Sequence, residues 1–134
     1  VPLMREPDYS DPNFQAIISE GHFLRQHGRY EQSWERLEDL EPIDRVMPET
    51  LALRLQLCAD LGKWELGESI LGVLACADDE THRITCAEWL HCFARHLVAT
   101  GDVEKAKQAV AHAVELWQPI RVEIVEDDGL AELW

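Results

Sequence analysis

The chain has 134 residues, 46% of them hydrophobic, enough for one domain with a stable core and no covalent staples. Its 26 acidic residues against 12 Lys and Arg give a net charge of −14, a surface that repels phosphate backbones and anionic lipid and steers basic partners toward it. Nucleic-acid and membrane-surface partners are therefore not expected, and no apolar run approaches the ~20 residues of a bilayer span.

The stretch VPLMREPDYS carries early charge and no apolar core, so it does not read as a secretory signal. The four cysteines, Cys58, Cys76, Cys86 and Cys92, then read as reduced thiols of a cytoplasmic protein. Residues 1–11 lack periodicity and read as an extended lead-in. Asp11 before Pro12 predicts a helix start, an acceptor at the cap followed by proline at the first helical position. Phe14, Ile17, Ile18, Gly21, Leu24 and Arg25 follow helical spacing to Gly28. A second helix is predicted from about Tyr30 to Leu40, with Trp34 and Leu37 on one face, stopping near Pro42.

Pro48 opens a third helix lined by Leu51, Leu55, Cys58 and Leu61 up to Gly62. Its partner carries Trp64, Ile70, Leu71 and Leu74 and ends around Ala77. Asp78 and Asp79 offer caps for a longer helix, about Glu80 to Ala99, that runs past Trp89, Leu90 and Phe93 to Gly101. A sixth helix is predicted from about Val103 to Trp117. The pattern is helix, glycine turn, helix, three times, with no strand between them. The last residues, 119–134, read as an acidic tail. IRVEIV alternates too briefly for a strand and would have nothing to pair with in an all-helical domain.

The segments GRYEQSWERL, GKWELGESIL and GDVEKAKQAV share one pattern: glycine, any residue, a large apolar residue, Glu, and a small residue two further on. Their glycines, at 28, 62 and 101, are 34 and 39 residues apart. This period, with a helix-turn-helix unit, resembles the tetratricopeptide repeat (TPR) family. Small residues at the family's crossing positions would be Gly21 and Ala94 in first helices, and Ser33, Gly67 and Ala106 in second helices. Departures are plain: Leu55 is bulky where a small residue is usual, and Pro42 comes early. The resemblance covers 12–118, with units at about 12–42, 48–77 and 80–118, and implies an all-α solenoid of about six helices. The bland alternative is a helical bundle with glycine turns.

The resemblance further implies a concave groove lined by first helices. Its facing positions would be Gln15, Ile18, His22, Arg25 and Gln26 in the first unit. In the second they would be Glu49, Ala52, Gln56 and Ala59, and in the third Glu88, His91, Arg95 and Val98. His22, Arg25, Gln26, Gln56, His91 and Arg95 are the candidates for holding a peptide or helix of a protein partner. The family's chaperone-binding members clamp a carboxylate with cations. The matching positions here hold Ile18, His22, Leu53, Glu88 and Cys92, so that role is not expected.

A rival reading lies in THRITCAEWLHCFARH. His82 and Cys86, and Cys92 and His96, are each four apart, on one helix face, as zinc or thiol chemistry would use. His82 and His96 are about 21 Å apart along a helix, too far for one ion. No phosphate-cradling loop, G-x-S-x-G or tuned acid pair is present. The expectation is a non-enzymatic adaptor or co-chaperone-like module with no catalytic residues, cofactor or metal. The tail either caps the last hairpin or docks in a second copy to make a homodimer.

Overall fold

The computed structural model describes residues 12–134, and the expected lead-in and Asp11 cap lie outside them. Those residues form eight α-helices and one 3-10 helix, with no strand among them. They are α1 (Pro12–Gln26), α2 (Tyr30–Leu37), α3 (Pro42–Arg45), α4 (Pro48–Leu61), α5 (Trp64–Leu74), α6 (Glu80–Ala99), α7 (Val103–Leu116), α8 (Ile120–Glu126) and the 3-10 helix (Asp128–Leu133). Three short elements, α3, α8 and the 3-10 helix, come in addition to the six expected. The chain divides into two compact units, Val1–Ile70 and Leu71–Trp134, with the boundary inside α5.

The three turn glycines build one helix ending three times. Gly28, Gly62 and Gly101 have φ of 73°, 71° and 91°, the left-handed region that costs a side chain energy. After each, the next amide reaches back to close the helix: Arg29 N–H to Leu24 C=O, Lys63 N–H to Cys58 C=O, and Asp102 N–H to Leu97 C=O, all at 2.8 Å. Each bond adds a donor to a carbonyl of the last turn, since Leu24 C=O also accepts the His27 amide, Cys58 C=O the Gly62 amide and Leu97 C=O the Thr100 hydroxyl. No side chain crowds Gly28 or Gly101, so the backbone angle alone selects glycine there.

In the first unit, Phe14, Ile17, Ile18 and Gly21 form the buried stripe of α1. They meet Leu37 and Leu40 after the turn, Met47, and Leu53 and Leu57 of α4, with Tyr30, Trp34 and Leu61 at the edge. Gly21 sets the approach of all three helices. A Cβ there would lie 2.9 Å from Leu53 Cδ2 and 3.4 Å from Leu37 Cδ2, and Ser33 Oγ donates to the Gly21 carbonyl at 2.7 Å. Gly21 faces Leu53, and Arg25 binds Asp60 four residues further along α1 and seven along α4. The pairs advance together, so α1 and α4 run in the same direction. Ile18, assigned by the resemblance to the groove, is instead buried in this core.

In the second unit, Asp79 and Asp102 cap α6 and α7 by accepting from the His82 and Lys105 amides. The two helices pack along their length, with Ala94, Ala106 and Ala113 fully buried and Trp89 stacked on Phe93 at 4.8 Å. The 119–134 segment folds onto this hairpin. Ile120 and Ile124, four apart on α8, and Leu130 and Leu133 of the 3-10 helix are buried against α6 and α7. IRVEIV is thus a helix with one apolar side inward and Val122 and Val125 outward.

Candidate functional site

Most cations of the first unit are occupied internally. Arg25 makes a bidentate pair with Asp60, at 2.6 and 3.3 Å. Arg36 binds Glu20 and Asp39, and Arg45 donates to the Leu40 and Glu38 carbonyls. Arg54 pairs with Glu38 at 2.9 Å and lies over the Trp34 ring, which Lys63 also approaches. Arg25 therefore ties α1 to α4 rather than presenting a free cation.

Apart from the paired Glu20 and Arg25, the outward side chains of α1 are uncharged. The helix carries one acidic residue, Glu20, and that one is paired with Arg36. Ser19, His22, Phe23 and Gln26 are all exposed. Phe23 stands about 180° around the helix from Phe14 at 100° per residue, is 57% exposed, and meets the His27 ring at a tilt, centroids 4.2 Å apart. Partial burial and the Arg25 guanidinium push the His22 pKa below its ordinary value, with Glu49 acting the other way. The neutral ring can donate from one nitrogen and accept at the other, and the Gln26 amide does both. Gln56, on α4, is half-buried.

His91 and Arg95, one turn apart on α6, converge on a single carboxylate. His91 Nε2–H donates to Asp127 Oδ2 at 2.6 Å, and Arg95 Nε lies 3.2 Å from the same oxygen. The other oxygen accepts the Gly129 amide at 2.8 Å and caps the 3-10 helix. Burial alone would push the Asp127 carboxyl up. The hydrogen bonds from His91 and Gly129 and the Arg95 charge together hold it below the ordinary aspartate value. Gly129 is pressed close to Arg95, since a Cβ there would sit 3.1 Å from its Nε. These two sequence-expected groove residues thus hold the chain's own tail.

His82, Cys86, His91, Cys92 and His96, the His and Cys residues of the rival segment, form no group able to hold a metal. Cys86 is fully buried, and burial pushes its thiol up to about 11. Cys92 is exposed, His91 is committed to Asp127, and His96 stacks on Phe93. No group of three or more His, Cys, Asp or Glu able to hold a metal occurs among the described residues. None of their helices is long and apolar enough to cross a membrane. A shallow recess of about 440 Å³ lies beside α8, lined by Gln118, Pro119, Arg121, Val122, Val125 and Glu126.

Sequence reasoning missed Phe23 and Asp127. Phe23 had a signal, being the one large apolar residue of α1 out of phase with its buried stripe. Asp127 had none, because its partners lie 32 and 36 residues away. No family model matches the sequence, and comparisons with curated proteins and with solved structures give no match either.

Proposed function

We propose that this chain is a non-enzymatic protein-binding module, built from degenerate TPR-like hairpins and acting as an adaptor or co-chaperone-like scaffold. The thrice-repeated glycine helix ending and the common direction of α1 and α4 support the repeat reading. The uncharged outer face of α1 carries the binding reading: Ser19, His22, Phe23 and Gln26 stand exposed in a chain of net charge −14. An exposed phenylalanine gains by being covered, and amide and imidazole groups beside it can pair with the backbone of a docked peptide. The favoured partner is a peptide or helix with an apolar anchor, requiring no cation clamp.

A pull-down comparing wild type with a Phe23→Ser/Gln26→Ala variant tests this. The variant should retain helical circular dichroism and lose a defined partner. Identical partner sets for both proteins would overturn the assignment of this face.

A further inference from the structure

The tail meets α6 through few anchors. Asp127 is held between His91 and Arg95, and Leu130 and Leu133 are buried three and six residues later. The leucines sit on a six-residue 3-10 helix that Asp127 caps, a form with poorer hydrogen-bond geometry than the α-helix. Trp134, next after it, is 64% exposed. The surface beneath rests on helices of 20 and 14 residues. A short segment on a long hairpin is a unit that can open without the hairpin unfolding. The tail is also acidic, on an acidic protein, so its docking depends on the local cation and imidazole that receive Asp127.

We propose that residues 127–133 are a built-in ligand. The α6–α7 surface they cover recognises a segment with a carboxylate followed by leucines at the third and sixth positions after it, and a partner segment of that chemistry binds by displacing the tail. The proposal rests on the reading of the chain as a partner-binding module and gives it a second surface with its own specificity. The carboxylate supplies orientation, because His91 and Arg95 approach one oxygen while the other is free to cap the segment's own helix. The two leucines supply buried area. Residence in cis keeps the surface closed until the competing segment reaches a concentration that exceeds the tail's effective concentration.

Two experiments on the full chain test this. A labelled peptide of the tail sequence VEDDGLAELW is titrated into wild type and into Asp127→Ala, alongside a control peptide whose first Asp is replaced by Ala. The variant should bind the tail peptide at least ten-fold more tightly than wild type, and the control peptide should bind neither. Equal binding to both proteins, or none to a folded variant, would overturn the latch, as would a variant that fails to fold. In wild type, amide hydrogens of 127–133 should exchange at least ten-fold faster than those at the centres of α6 and α7. Indistinguishable rates would make the tail a permanent part of the unit. A concentration-dependent dimer abolished by Asp127→Ala would place the tail on a second copy and equally overturn the cis arrangement. Neither readout involves Phe23 or an outside partner, so failure here is distinct from failure of the α1 face.

Discussion

The hairpins around Gly28 and Gly101 share a helix ending and differ in what lies on their outer sides. On α1, the polar and aromatic side chains at 19, 22, 23 and 26 are open. On α6, His91 and Arg95 are engaged by Asp127 of the same chain. The turn and crossing follow from local rules that both hairpins obey. The second unit has residues 119–134 to spend on its own apolar side.

Removing those residues should break the comparison most severely. Truncation after Gln118 deletes four buried aliphatic side chains, at about 1.5–3 kcal/mol each. That sum is on the order of the whole stability of a small domain, so the second unit should lose its cooperative thermal transition. An unaltered melt would contradict a structural contribution from the tail.

The shared helix ending gives a smaller, symmetric expectation. Gly28→Ala and Gly101→Ala place a side chain in the left-handed region with no crowding at either site. Each should lower stability by about 1–2 kcal/mol, measured by urea titration. A large difference between them would mean that the two endings are not equivalent.

The contrast between the hairpins sharpens further with pH. Asp127 has a depressed pKa, so the unfolded chain binds its proton more readily than the folded one. The resulting stability is present above about pH 4, the ordinary aspartate range, and is lost as pH falls through the depressed value. Melts of wild type and Asp127→Asn should therefore differ at neutral pH and converge in acid; a gap that widens in acid would refute the pairing. The smallest effect is expected on α1: Phe23→Ser should change stability by no more than about 0.5 kcal/mol, since the ring is mostly solvated.

The helix order was legible because glycine and proline punctuate stretches of 3.6 periodicity. Within α4 that signal blurs. Leucines at 51, 53, 55 and 57 alternate, so helical spacing from Leu51 points to Leu51, Leu55 and Leu61, whereas Leu53, Leu55 and Leu57 are the fully buried ones and Leu51 and Leu61 are only half-buried. IRVEIV fits a period of two and an i, i+4 pair equally well, and only packing on α6 and α7 decides for the helix. The candidate site was least legible. Arg25 and Arg95 looked available because their carboxylates, Asp60 and Asp127, lie 35 and 32 residues downstream, beyond any local pattern.

The buried thiols give each unit its own chemical clock. Cys58 belongs to the first unit and Cys86 to the second, both fully enclosed, with burial raising each thiol to about 11. Only the thiolate is alkylated at an appreciable rate, so at neutral pH each sulfur reacts when its surroundings open. Cys76 and Cys92, exposed on the surface, should label at once. Mass spectrometry of a timed alkylation would then time the opening of the two halves separately, in one tube and without an engineered label.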